Sequence, residues 1–310
     1  MDEIARAIES AIGDDAAASE LACAKINLAL HVTGRRTDGY HSIESLVVFA
    51  DYGDFLGAAP STDGQMRLTV KGEFAGSLTQ GTEPHDNLAI RAASELARAA
   101  GKAKVPPTKL TLTKRIPVAA GLGGGSADAA AALRLLNRQW RLNFGEARLA
   151  EVALRLGADV PMCLASRPLI AKGIGEKITP VAGMPTLPIV LAHPGVPVET
   201  AAVFAKLAAD ERPPLPALPA KFASLLEVIF WLRQARNDLA EPAAAVSKTA
   251  GTAAKALMRD PDCLFSRMSG SGAAAFGIFV TLKAAERAAA RLRAAKPAWW
   301  VVAARTLASS

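Results

Sequence analysis

The residues best suited to do chemistry are scattered along the chain, and the densest group is Pro117-Val118-Ala119-Ala120-Gly121-Leu122-Gly123-Gly124-Gly125-Ser126-Ala127. It holds four glycines in five residues. Glycine reaches backbone angles closed to other residues, and it leaves the peptide N–H groups uncovered. The alanine- and leucine-rich run behind Asp128, up to Asn137, is made largely of strong helix formers. A bare loop feeding a helix N-terminus suits an anion, because free N–H groups and the positive end of the dipole converge there. Phosphate is the first ligand to expect. The alternative is a turn that only lets a helix pack closely.

Five further residues carry usable chemistry. Lys25 and Asn27 sit two apart in a strictly alternating stretch. Ala22, Ala24, Ile26, Leu28, Leu30 and Val32 share one face; Cys23, Lys25, Asn27, Ala29, His31 and Thr33 share the other. Period two predicts a strand with one buried face, and it brings Lys25 and Asn27 out side by side, about 7 Å apart. They make either a polar edge or half of a site. Tyr40-His41 follow the turn signal Asp38-Gly39 and open the next strand. That pair suits stacking and hydrogen bonding to a planar ring, or a turn anchor. Asp159 stands in Gly157-Ala-Asp-Val-Pro161, just past a predicted helix over 146–156. The negative helix end disfavours a carboxylate there, which marks it as a functional candidate or a turn-forming Asp.

The elements that carry these residues read in order. Strands are expected over 22–33, 43–50 (closed by Asp51-Tyr-Gly-Asp54), around 66–70 and over 108–113. A helix over 88–100 has Asn87 as N-cap and Gly101 behind it. A hairpin over 169–181 turns at Gly173-Ile-Gly175. A strand over 187–192 precedes a helix over 199–209, with Thr200 and Phe204 one turn apart. A Pro-rich connector fills 210–220, and a helix follows over 221–234. Ser266-Arg-Met-Ser-Gly270-Ser-Gly272 is a second glycine-bearing loop leading into an apolar strand. A helix over 282–293 and a strand over 299–303 complete an α+β pattern.

Composition narrows the classes. The 310 residues suffice for two domains, and 51% hydrophobic with 21% charged is globular. The net charge of +7 favours anionic ligands. Lys and Arg are dispersed and aromatics are 5%, so nucleic-acid binding gains no local support. Cys23, Cys163 and Cys263 lie far apart, without a CxxC pair, which argues against a disulfide framework or structural zinc and fits a cytoplasmic setting. No secretory signal or membrane span is expected. The Walker pattern GxxxxGK[ST], the dinucleotide pattern GxGxxG and the protein-kinase signatures are all absent.

Three motifs together resemble the GHMP kinase superfamily: Ala24-Lys25-Ile-Asn27-Leu, the glycine stretch 117–127, and Met268-Ser-Gly270-Ser-Gly272-Ala273. The similarity runs from about residue 21 to the end. Thr33-Gly-Arg-Arg-Thr-Asp-Gly-Tyr40-His41, Gly157-Ala-Asp159-Val-Pro161 and Ala192-His-Pro-Gly195 resemble the branch acting on 4-diphosphocytidyl-methylerythritol in non-mevalonate isoprenoid synthesis. The resemblance implies a two-domain α+β fold. Residues 21–168 would form a ribosomal S5 domain 2-like, ATP-binding domain, and 169–310 a ferredoxin-like domain, behind an extension over 1–20. It implies ATP as co-substrate with Mg²⁺, no nucleic-acid or membrane partner, and a monomer or weak homodimer. By position, Asp159 would be the general base and Lys25 its partner. Residues 117–127 would wrap the ATP phosphates. Asn27, Tyr40, His41, Thr200 and Phe204 would contact substrate, with Tyr40 and Phe204 stacking on cytosine. Ala119 and Ala120 stand where many relatives have glycine, and Ala127 where many have serine. Asp128 adds an acid beside the phosphates, either to complement the helix dipole or to hold Mg²⁺ through water. Kinases of homoserine or mevalonate are the nearest alternatives, and a basic nucleic-acid binder is the alternative from another class.

Overall fold

A computed structural model describes residues 18–79, 84–101, 105–207 and 212–309. Most of the expected extension over 1–20 lies outside these, as do the first residues of the Pro-rich connector. The strands are β1 (Ala18–Arg35), β2 (His41–Pro60), β3 (Arg67–Lys71), β4 (Thr108–Thr113), β5 (Leu169–Gly173), β6 (Lys177–Pro180), β7 (Pro188–His193), β8 (Phe265–Met268), β9 (Ala275–Ile278) and β10 (Trp300–Arg305). The helices are α1 (Ala75–Thr79), α2 (Leu88–Ala100), α3 (Gly124–Gln139), α4 (Glu146–Leu154), α5 (Val160–Ala165), α6 (Thr200–Phe204), α7 (Leu225–Gln234), α8 (Ala240–Val246), α9 (Thr252–Met258) and α10 (Leu282–Ala295).

The chain forms two compact units, each assembled from separated segments. The first takes residues up to Ala24, Tyr52–Val118 and Gly124–Ala165; the second takes Lys25–Asp51, Ala119–Gly123 and everything from Ser166. In the first unit, β4 pairs antiparallel with the second half of β2 and parallel with β3. Helix α2 begins at Asn87, whose side chain accepts the Ala89 N–H at 2.9 Å. It packs Ala89, Ala92, Ala93 and Leu96 inward toward α3, whose Ala127 and Ala129–Ala132 run is wholly buried. Small residues on both helices permit that close approach.

In the second unit, the first half of β2 pairs with β5, and β5 with β6. A four-stranded antiparallel sheet runs β10-β7-β9-β8. Helices α9 and α10 cover it around Val190, Leu257, Ala275, Phe279 and Val301. A second core gathers Leu30, Val32, Ile43, Val203, Leu239 and Met268, with Phe204 against it. The connector is held rather than loose: Pro213 C=O accepts from Arg236, Leu215 N–H donates to Glu44, and Trp231 donates to Ala217 C=O.

Two expectations change. Strand β1 is buried on both faces from Ala22 to Val32, so Lys25, Asn27 and His31 are interior residues and form no polar edge. Strand β2 does not stop at Asp51-Tyr-Gly-Asp54 but runs through it to Pro60. Gly53 makes that passage possible, because a Cβ there would overlap the Ala22 carbonyl on β1.

Candidate functional site

In the second unit the Lys25 motif and both glycine loops come together. The Lys25 N–H donates to Leu122 C=O at 2.9 Å. Gly123, at φ +65°, lies against the Lys25 stem; a Cβ there would sit 3.1 Å from both Cβ and Cε of Lys25. Gly121, at φ +79°, touches the second loop so closely that a Cβ would be 2.5 Å from Ser269 C=O. Ser269 Oγ donates to Gly121 C=O at 3.0 Å, and Ala274 N–H donates to Ala120 C=O at 2.9 Å. The glycines at 121 and 123 thus answer to contact as well as to conformation.

Asn27 is oriented by its neighbours. Its Nδ2 donates to Ser45 Oγ at 2.7 Å, and Ser45 spends its own proton on Ala29 C=O at 2.7 Å. The Asn27 N–H donates to Ser269 Oγ at 3.1 Å. Asn27 Oδ1 is left as an acceptor without a partner at 3% exposure, facing Gly270. An orphaned buried acceptor is costly, and a ligand N–H or O–H would satisfy it.

Tyr40 and His41 lie at the start of β2. Asp38 Oδ1 accepts the Tyr40 N–H, which locks the turn and leaves the Tyr40 side chain 63% exposed. The His41 ring is 5.5 Å from the Phe204 ring at 32°. Burial, with the Arg35 charge adding to it, lowers the His41 pKa, so the imidazole is neutral at pH 7. Thr200 opens α6, and its Oγ1 shares a 2.8 Å hydrogen bond with Ser271 Oγ of the second loop. Phe204 ends the same helix.

The first unit carries Asp159, both ends of the first glycine loop and the base of α3. Asp159 immediately precedes α5, and its carbonyl accepts the Cys163 N–H at 3.2 Å. The expectation that it follows a helix C-terminus is therefore wrong in its electrostatics. Helix α4 ends at Leu154, and Asp159 stands at the positive end of a new turn, where a carboxylate is favoured. Arg134 holds the far end of α5, donating to Cys163 C=O at 2.9 Å and Leu164 C=O at 3.1 Å.

Asp128 is committed elsewhere than expected. It is 2% exposed, and its Oδ2 accepts from Lys114 Nζ at 2.8 Å. Lys114 also donates to Asp54 Oδ2. Asp54 Oδ1 accepts the N–H groups of Arg115 at 2.5 Å and Ile116 at 2.8 Å. Burial raises the Asp128 pKa to about 7, with Lys114 opposing and Asp54 adding to the rise. A carboxyl whose folded pKa lies above its unfolded value of 3.8 stabilises the fold below about pH 4; that share is lost as pH rises through about 7. Asp54 and Lys114 escaped the sequence reading, since no periodicity links positions 54, 114 and 128. The only available signal was a Lys placed three residues before the loop.

Among the described residues no group of three or more His, Cys, Asp or Glu side chains is arranged to hold a metal ion. The Lys114 ammonium beside Asp128 would repel a dication. Mg²⁺ takes most of its ligands from phosphates and water in nucleotide sites. No protein ligand is assigned to Mg²⁺ among the described residues.

Ala119 shows strain. It adopts φ +54°, the left-handed region that glycine occupies at little cost. Ala119→Gly is expected to raise stability by about 0.5–1 kcal/mol, the relief of strain exceeding the added unfolded-chain entropy. Urea denaturation measures it; an unchanged or lower midpoint would mean that the loop relaxes without glycine.

Comparison with known proteins places these motifs. Residues 87–167 match the model of the GHMP kinases N terminal domain, and 222–298 match that of the GHMP kinases C terminal domain. The chain is 48% identical over 292 residues to the 4-diphosphocytidyl-2-C-methyl-D-erythritol kinase of Mesorhizobium japonicum, covering 92% of this chain and 95% of that one. It is 45% identical over 289 residues to the protein of the same name from Chelativorans sp., covering 93% and 96%. A crystal structure of a 4-(cytidine 5'-diphospho)-2C-methyl-D-erythritol kinase superposes with a TM-score of 0.74 at 33% identity, over 93% of this chain and 99% of that one. Homoserine kinase from Cytophaga hutchinsonii shares the fold, with a TM-score of 0.66 at 15% identity over 94% of each chain. No helix among the described residues is long and apolar enough to cross a membrane.

Proposed function

The chain belongs to the GHMP kinase family, and on that premise we propose that it transfers the γ-phosphate of ATP to the 2-hydroxyl of 4-diphosphocytidyl-2-C-methyl-D-erythritol. The observation that carries this reading is 45–48% identity, over nearly the whole chain, to relatives that bear that name. The glycine stretch Pro117–Ala127, whose last four residues form the first turn of α3, supplies N–H groups and a helix N-terminus for the phosphates. Mg²⁺ bound to the nucleotide would offset charge on the transferring group.

An alcohol is a weak nucleophile at neutral pH. Asp159 accepts the hydroxyl proton as the oxygen attacks, and Lys25 neutralises negative charge that develops on the phosphoryl oxygens. Asp159 stands at the N-terminal end of α5, a position that suits a carboxylate. Asn27 Oδ1 takes a donor from the substrate, which ends its isolation. Tyr40, His41, Thr200 and Phe204 hold the cytidine end. The exposed Tyr40 ring is available for stacking, and the neutral His41 for a hydrogen bond to the base.

An ADP-release assay with a panel of alcohols tests the reading. Turnover is expected with the cytidine-diphosphate substrate and not with homoserine or mevalonate; the reverse pattern would move the chain to another GHMP branch. Tyr40→Ala is expected to raise KM for the cytidine substrate about tenfold or more while KM for ATP holds within twofold, as loss of one base–aromatic stack implies. Equal rises in both would remove Tyr40 from the cytosine site.

A further inference from the structure

We propose that Asp54, Lys114 and Asp128 form a buried strut that ties the two ends of the glycine loop together, making Asp128 a positioning residue for nucleotide phosphates. The proposal rests on the reading of that loop as the ATP-phosphate site.

The connectivity is direct. Asp54 Oδ1 takes the N–H groups of Arg115 and Ile116, the last residues before the loop begins at Pro117. Asp54 Oδ2 takes Lys114 Nζ, and the same ammonium reaches Asp128 Oδ2, in the second turn of α3. Gly124, the first residue of α3, lies against the same ammonium; a Cβ there would sit 3.4 Å from Nζ and 3.7 Å from Asp54 Oδ2. One lysine therefore joins the strand that enters the loop to the helix that leaves it. Arg115 is pinned in turn over the Tyr52 and Phe55 rings, at 4.2 and 4.8 Å.

Such a device answers a need of the loop. Gly121 and Gly123 leave the backbone ahead of α3 with wide conformational freedom. A phosphate site must have its N–H groups aimed before the ligand arrives, or binding carries the ordering cost. Stability alone does not call for three buried charges, since apolar residues of the same volume serve as well or better. What an ion-paired, hydrogen-bonded cluster adds is direction, because each bond fixes a distance and an angle. Asp128 is not a free acid near the phosphates; it is the anchor on the helix side.

The test compares wild type with Asp128→Ala and Asp128→Asn, each titrated calorimetrically with a non-hydrolysable ATP analogue plus Mg²⁺ and, separately, with adenosine. Asp128→Ala is expected to weaken analogue binding about tenfold and leave adenosine binding within twofold, because only the phosphates meet the loop. Asp128→Asn keeps a carbonyl acceptor for Lys114 and is expected to recover affinity to within about threefold. If Asp128→Ala does not fold, Asp128→Ser carries the same expectation, its hydroxyl being too short to reach Lys114. Affinity for analogue and adenosine falling in equal proportion would show a merely structural role and overturn the proposal, as would an alanine variant that binds the analogue like wild type. Wild type binding the analogue no more tightly than adenosine would instead overturn the phosphate-loop reading itself, and the strut's role with it.

Discussion

Asp159→Asn is expected to lower kcat by about 10²–10⁴-fold while KM for both substrates stays within severalfold, the range that loss of a positioned general base produces. The amide has the size of the carboxylate and keeps its hydrogen-bonding reach, but it cannot take the hydroxyl proton. Local structure should survive. The Asp159 carbonyl accepts the Cys163 N–H of α5, a bond the substitution keeps, and Arg134 secures the other end of the helix. Steady-state kinetics at saturating ATP and substrate measure the effect. Turnover close to wild type would take Asp159 out of the chemistry. A rise in KM without loss of kcat would make it a binding residue.

The second large effect concerns folding. Lys114→Met should destabilise the protein by about 3–5 kcal/mol, because it leaves two buried carboxylates without their cation. For a chain of this size that corresponds to a fall in Tm on the order of 10 °C. The deficit should widen as pH rises from 6 to 8. Without Lys114, Asp128 loses the group that opposes the upward shift of its pKa, so ionising it becomes still harder. Adding Asp128→Asn to Lys114→Met removes one buried charge and is expected to restore part of the loss, the neighbours being coupled. Thermal melts of the two variants across that pH range check both statements; a single variant melting within about 2 °C of wild type would deny the cluster its place in the fold.

Much of this architecture was legible in the sequence. Short-range chemistry gave α2, with Asn87 and Gly101 at its ends, and β4 to the residue, because caps and alternation are local signals. The two-domain α+β GHMP kinase fold was legible from motif order, and the family models and relatives bear it out. What alternation could not reveal was depth. It sorted β1 into two faces correctly but not that both are covered, since polar residues such as Asn27 and His31 are buried by segments far along the chain. The helix at α5 was missed because six residues carry too little periodicity, and that omission reversed the electrostatics assigned to Asp159. Asp54 and Lys114 were invisible for a related reason: their meaning lies in a partner 60 residues away.

The interleaving of the two units has a consequence for how the protein is made. The chain passes between them at Ala24, Asp51, Val118, Gly123 and Ala165. The first unit has all its segments once residue 165 has been synthesised, whereas Lys25–Asp51 belongs to a unit whose remainder, apart from Ala119–Gly123, starts at Ser166. At about 5–20 residues per second, the stretch bearing Lys25, Asn27 and Tyr40-His41 waits roughly 6–23 s for β5 to begin emerging. Through that interval its apolar residues, among them Leu30, Val32 and Ile43, lack the core that later buries them. Vectorial synthesis thus completes the half of the enzyme that carries Asp159 first and leaves the half that carries Lys25 to a late, non-local assembly step, where slow folding and chaperone dependence would concentrate.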